Sequence, residues 1–136
     1  MQNPPPGQAG KSSTGLDENI AALLAYVFGW VSGLVFFLIE KDSKLVRFHA
    51  MQSIMFNALV LVLSVVLWIV TFVLFLMLAM LPDIMGALMG LLTSLLWLIF
   101  FVALLAGWIM CLVKAYQGQF FKLPIIGNMA EKIVNK

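Results

Sequence analysis

Residues 54–81 read IMFNALVLVLSVVLWIVTFVLFLMLAML, and this run decides the fold. It contains no charged side chain, and as a helix rising 1.5 Å per residue it would reach about 42 Å. That exceeds the roughly 30 Å of a bilayer's hydrocarbon core but is too short for two spans and a turn. One long membrane helix follows, with a start as early as Phe48. Two further uncharged runs flank it, Asn19 to Ile39 and Ile84 to Val113. The whole chain has 136 residues, 63% hydrophobic and 10% charged, with a mean hydropathy of +1.07 and a net charge of +2. A soluble domain averages about 45–50% apolar and about 25% charged, so an ordinary water-soluble globule is excluded.

The first run predicts a span over about residues 20–39, preceded by Asp17 and Glu18, whose carboxylates suit the positive end of a helix dipole. Glu40 to Arg47 (EKDSKLVR) is a short charged connection. Leu81-Pro82-Asp83 supplies the break before the third span, about 84–113, because proline removes a donor and disfavours helix at the residue before it. The length of that third run leaves open a tilted helix or a separate outer segment over 84–92. Residues 1–15, rich in Pro, Gly, Ser and Gln, read as a disordered tail. Near the C-terminus Ile125, Met129 and Ile133 recur every fourth residue, predicting a short amphipathic interfacial helix over about 125–134. The predicted fold is therefore all-α: one transmembrane domain over 16–136, an integral membrane three-helix bundle with spans at 20–39, 54–81 and 84–113 and the interfacial helix after them.

Three spans put Lys11 on one side and Lys41, Lys44, Arg47, Lys114, Lys122, Lys132 and Lys136 on the other. The positive-inside rule makes the second side cytoplasmic and the N-terminus external.

Small residues recur every fourth position as Ala21, Ala25, Gly29, Gly33, as Gly86, Gly90, Ser94, and as Ala103, Gly107, Cys111, the spacing that lets membrane helices approach closely. Ala25, Gly29, Gly33, Gly86, Gly90 and Gly107 are accordingly the candidate packing residues, within the chain or between copies. Gln52, Ser53 and Asn57 must face protein, water or headgroups, since unpaired amides are costly in hydrocarbon. They suit interhelical hydrogen bonds or a polar vestibule. His49, beside Arg47 and Phe48, suits a pH switch, an anionic-lipid contact or a partner contact. Met77, Met80, Met85 and Met89 flank the outer turn as soft thioethers or as apolar filler. One cysteine (Cys111) and one histidine give neither a disulfide framework nor a zinc set, so no metal and no cofactor is expected. The absence of an ionisable residue deep in any span argues against a proton-coupled transporter. No nucleophile with its base, no carboxylate pair and no phosphate loop is present, and a non-enzymatic protein is expected.

Two segments carry a resemblance. The first is Leu38-Ile39-Glu40-Lys41 with Leu45-Val46-Arg47-Phe48-His49-Ala50-Met51-Gln52-Ser53-Ile54. The second is Lys114-Ala115-Tyr116-Gln117-Gly118, Lys122-Leu123-Pro124-Ile125-Ile126-Gly127 and Ala130-Glu131-Lys132. From Thr14 to Lys136 the chain resembles a family of small bacterial and archaeal membrane proteins of unknown function. That family is related to the Tic-type channel subunit of chloroplast protein import and to MamF-like magnetosome-membrane proteins. The resemblance implies a prokaryotic inner-membrane protein whose Arg47 loop and C-terminal segment share the cytoplasmic side. Both motifs then fall at one surface, where they can pack on each other. Arg47, Phe48, His49, Gln52, Asn57, Lys122 and Pro124 become the candidate partner- or lipid-binding residues. Expected partners are membrane lipids, a second copy of the chain, and a membrane or cytoplasmic protein, with no nucleic acid. The function implied is an assembly, scaffold or targeting factor; the alternative is a subunit of an oligomeric channel or translocation pore.

Overall fold

The computed structural model describes Gln2, residues 10–79 and residues 83–136. Among the described residues there are five α-helices and no strand: α1 (Glu18–Val27), α2 (Trp30–Ile39), α3 (Lys44–Leu78), α4 (Asp83–Tyr116) and α5 (Ile126–Val134). The all-α expectation holds, but the helix inventory differs from three spans and an interfacial helix. Two compact units are present, one formed by the described residues of 1–59 with 108–136, the other by 60–107.

The second unit consists of the inner stretches of α3 and α4. These two helices, of 35 and 34 residues, are long and apolar enough to cross a membrane. Their most apolar windows are 0% and 6% buried inside the protein, which a soluble core helix would not tolerate. α3 starts ten residues before the predicted span because Ser43 caps it: its Oγ accepts the Val46 N–H at 3.2 Å. α4 is one continuous helix from Asp83, so residues 84–92 form no separate outer segment. The predicted turn residues Leu81 and Pro82, and Met80 beside them, lie outside the described residues.

The first unit corrects the prediction over 20–39. That run is two ten-residue helices, each about 15 Å long. Gly29 separates them, with φ 61° and ψ −133°, a backbone conformation reserved for residues without a Cβ. The helices pack on each other as a hairpin, because Ser13, just before α1, hydrogen-bonds Glu40, just after α2. A straight helix would put those ends about 30 Å apart. α1 runs antiparallel to the end of α4: Asn19 Nδ2 donates to Tyr116 O at 3.1 Å, and Trp108 Nε1 donates to Tyr26 O at 3.2 Å. α2 runs antiparallel to the start of α3. A Cβ on Gly33 would lie 2.9 Å from Ala50 O, while Arg47 Nη1 donates to Glu40 O at 2.9 Å.

Two further corrections follow from the same hydrogen bonds. Residues 10–15 are not a disordered tail; the remainder of that predicted tail, Gln2 apart, lies outside the described residues. Glu18 N–H donates to Gly10 O at 3.0 Å, Lys11 forms an isolated bridge and a 2.8 Å ion pair with Asp17, and Ser13 binds Glu40. With Ser13 joined to the Glu40–Asp42 turn, residues 10–17 and Lys41 cannot occupy opposite faces of a membrane. The three-span reading sets these two segments on opposite sides; the hydrogen bonds bring them together.

α4 ends in a helix-stop motif at Gly118 (φ 67°), where Gly118 N–H donates to Ala115 O at 2.9 Å and Gln119 N–H to Lys114 O at 3.0 Å. The chain then crosses the end of the helices and turns at Ile125 into α5. Ile126, Gly127 and Ala130 face inward on α5, while Ile125, Met129 and Ile133 are exposed.

Candidate functional site

Within the apolar core of the first unit, which includes Ala21, Ala22, Leu45, Val46 and Ala115, lies a polar cluster built from four elements. His49 Nε2 lies 2.9 Å from Gln119 O, and a carbonyl only accepts, so Nε2 carries the proton. Nδ1 is then the acceptor for the Tyr26 hydroxyl at 3.2 Å. Gln52 Nε2 donates to Tyr26 Oη at 3.1 Å and to Phe121 O at 3.0 Å, with Cys111 Sγ at 3.8 Å. Gln52 Oε1 accepts the Leu123 N–H at 3.3 Å. Tyr26, His49, Gln52 and Cys111 are fully buried, and among the described residues no buried side-chain nitrogen or oxygen lacks a partner. A network closed this way fixes its members, since each unmade bond would cost about 1–3 kcal/mol.

This cluster joins the two motif segments. Arg47 to Gln52 lies on the first turns of α3, and Gln119, Phe121 and Leu123 are held to it by backbone groups. A Cβ on Gly127 would sit 2.6 Å from Lys122 Cα and 2.9 Å from Gln52 Oε1, so only glycine lets α5 close on the cluster. Phe48 is buried edge-on to His49 (ring centroids 5.2 Å apart) and Phe120 (5.5 Å). Phe48, His49 and Gln52 therefore belong to the interior, not to the partner- or lipid-binding surface expected of them. Arg47 stays half-buried, its guanidinium 4.9 Å from the Phe37 ring centre. Lys122 pairs with Glu131 at 2.7 Å, and that bond, with the charge of Lys122, holds the Glu131 carboxyl below its usual range. Pro124 is exposed. Its carbonyl accepts the Ile126 N–H at 2.8 Å, closing a γ-turn on Ile125 (φ 68°, ψ −65°), a conformation costly for a β-branched residue.

At the hairpin tip, side chains complete the bonds that the helix break interrupts. Ser32 Oγ accepts the Phe28 N–H at 3.1 Å and lies 3.1 Å from Ala25 O and 3.2 Å from Gly29 O. Ser53 Oγ donates to Gly29 O at 3.0 Å, and Trp108 covers Tyr26 O. Asn57 Nδ2 returns to Ser53 O at 2.9 Å, with its Oδ1 against Gly29. Gln52, Ser53 and Asn57 thus make interhelical and local hydrogen bonds.

At the hairpin mouth, Glu40 Oε1 accepts N–H groups from Ser43 (2.9 Å), Ser13 (3.0 Å) and Asp42 (3.1 Å) and lies 2.7 Å from Ser13 Oγ. Burial alone would raise this carboxyl; the hydrogen bonds from Ser43, Ser13 and Asp42 outweigh it and hold the group below the usual glutamate range.

Of the candidate packing residues, Ala25 is fully buried, Gly29 and Gly33 abut α3, and Gly107 is half-buried. A Cβ on Gly86 or Gly90 would meet nothing within 4 Å, and both border a cavity of about 330 Å³ with Thr71, Phe75, Met89 and Thr93. Met77, Met85 and Met89 are exposed. Tyr26, Ser32, Trp108, Ser13 and Glu40 went unassigned in the sequence. The available signal was a serine and a tyrosine either side of Gly29 inside an otherwise apolar run.

Comparison with known proteins places this arrangement in a family. The model of the Magnetosome magnetite crystal formation protein family (MamF/MmsF) matches residues 16–130. A UPF0132 membrane protein of Methanocaldococcus jannaschii is 40% identical over 126 residues, covering 90% of this chain and 94% of the relative. One from Archaeoglobus fulgidus is 34% identical over 117 residues, covering 86% and 95%. A second M. jannaschii relative is 34% identical over 118 residues, covering 87% and 71%. No solved structure matches. The match takes in the hairpin, both candidate spans, the motif segments as far as Ala130 and the closure of α5 on Gln52, and on that ground the chain belongs to the MamF/MmsF family, with relatives named as membrane proteins.

Proposed function

We propose that the protein is a non-enzymatic integral membrane factor that assembles, scaffolds or targets other components, using the polar end of its first unit as the contact surface. The observation that carries this is how the buried polar groups are used. Tyr26, His49, Gln52, Ser53 and Glu40 spend their hydrogen bonds on the chain's own backbone and on one another. That economy suits a fixed platform better than a reacting centre. The exposed cations Lys41 and Lys44 are among the groups left to meet a partner.

All 8 Lys and Arg residues fall within 11–47 and 114–136, whereas the turn after α3 is followed by Asp83. By the positive-inside rule we assign the lysine-rich end, with both chain termini, to the cytoplasmic side of a prokaryotic inner membrane crossed twice. The family description concerns magnetosome magnetite crystal formation; the part carried to this chain is a membrane-bound assembly role.

Photo-crosslinking in living cells from Lys41, Lys44 and Lys122, with products identified by mass spectrometry, tests the reading. Adducts to a defined set of proteins are expected; self-adducts alone would sink it. The second reading is a subunit of an oligomeric channel, the role suggested by the Tic-type resemblance. Thr71 and Thr93 beside the cavity at Gly86 and Gly90 are the feature that favours it. Conductance in planar bilayers that disappears in Thr71→Val/Thr93→Val would select it.

A further inference from the structure

We infer that the α1–α2 hairpin is a wedge inserted in one leaflet only, so that the protein binds preferentially where the leaflet on its Lys41 side is convex.

Three observations carry this. First, the hairpin is half a membrane deep: each arm is ten residues, about 15 Å against roughly 30 Å of hydrocarbon. The Ser13–Glu40 bonds return both arms to one side. α2 lies along α3, a candidate membrane span, so the arms point along the direction in which that helix crosses.

Second, the hairpin tip needs no water. A break in a helix exposed to hydrocarbon is tolerated only if its freed backbone groups find partners within the protein. Here Ser32, Ser53 and Trp108 supply them. A tip facing solvent would have no use for three dedicated side chains.

Third, the hairpin's outer surface has the profile of a lipid-facing one. Phe28 is 77% exposed, Trp30 56% and Leu38 65%, joined by Val31, Leu34 and Val35. Charges appear only at the mouth, as Asp17, Glu18, Lys41 and Asp42. Neighbouring outward positions of α4, such as Ile109 and Val113, continue the apolar surface.

Two helices about 10 Å across add on the order of 150 Å² to the leaflet they enter and nothing to the other. The amphipathic α5, with exposed Met129 and Ile133 beside Lys132, would add to the interface at the same end. A bilayer relieves such one-sided area by curving toward the expanded leaflet. The inference is independent of which cellular face that leaflet occupies, and so of the scaffold reading.

The test uses the full chain, fluorescently labelled and reconstituted into giant vesicles from which narrow tubes are pulled outward. Copies with the Lys41 side outermost, identified by labelling of Lys41→Cys in a Cys111→Ala background, are expected to be enriched in the tube at least two-fold over the flat membrane. Copies of opposite orientation are expected to be depleted. Equal density in tube and vesicle for both orientations would overturn the inference.

A second measurement covers the insertion itself. The thiol of Phe28→Cys, in the same background, should resist a water-soluble maleimide from both sides. Reaction from either side would show that the hairpin is not embedded, and protection that vanishes on dilution in lipid would show a second copy covering it; each result overturns the one-leaflet wedge.

Discussion

His49 Nε2 donates to the carbonyl of Gln119 at 2.9 Å across 70 positions of sequence, and this bond sets the tautomer of the only histidine in the chain. Its other nitrogen is thereby an acceptor for Tyr26. His49→Ala should leave Gln119 O and the Tyr26 hydroxyl without that partner and cost about 2–6 kcal/mol, summing two buried losses of about 1–3 kcal/mol each. Thermal unfolding in detergent measures it. Tyr26→Phe in the His49→Ala background should cost less than in the native chain, because the two residues share one bond.

Gly127 is where α5 closes on Gln52 and Lys122. Gly127→Ala forces a methyl to 2.6 Å from Lys122 Cα, a backbone contact that side-chain rotation cannot relieve. Faster amide exchange and proteolysis over 117–136, with little change in α3, is the expected result. Gln52→Leu should loosen the same segment by removing the bonds to Phe121 and Leu123.

The Glu40 carboxyl is held below its usual range, so its charged form is favoured by folding. The stabilisation is present above the ordinary glutamate range and is lost as pH falls through the lower, folded-state value. Amide exchange of residues 10–17 should therefore accelerate in acid, and Glu40→Gln should show the fast exchange already at neutral pH.

Ile125 keeps φ at 68° while 75% exposed. Removing its side chain sacrifices almost no burial and relieves a conformation costing of order 1–3 kcal/mol. Ile125→Gly should raise the unfolding temperature, by the equivalent of about 1 kcal/mol after glycine's own entropy cost of about 0.5–1 kcal/mol. A lower unfolding temperature would show that the γ-turn carries no strain.

Reporters fused to the two chain ends should read the same compartment. An N-terminal reporter on the face opposite a C-terminal one would contradict the Ser13–Glu40 bond.

Much of this was legible in the residues. Uninterrupted apolar runs identify α3 and α4, because a long run lacking charge has few other stable uses. The four-residue spacing of Ile125, Met129 and Ile133 marks α5 and its exposed face. Gln52 and His49 announce themselves as polar groups in apolar surroundings, although their direction, inward, depends on the backbone of 119–123 reaching them. The hairpin was not legible from composition, since twenty apolar residues satisfy one straight span and two half-depth arms equally well. What distinguishes the cases is the backbone angle at Gly29 and the partners of Ser32, and neither leaves a mark in hydropathy. The Ser13–Glu40 clasp escaped for a related reason: a Gly, Ser and Lys segment has nothing apolar to bury, and its order comes from one distant carboxylate.

The polar cluster also imposes an order on synthesis. Tyr26 leaves the ribosome early, yet its carbonyl waits 82 residues for Trp108, and Gln52 waits 69 for Phe121. Until the last segment arrives, His49 Nε2 and Gln52 Oε1 lack the partners they find at Gln119 and Leu123, although Tyr26 already bonds both side chains. A chain cut short before residue 119 would carry that defect permanently, which makes the C-terminal segment a completion seal and an unfinished copy an evident target for membrane proteases.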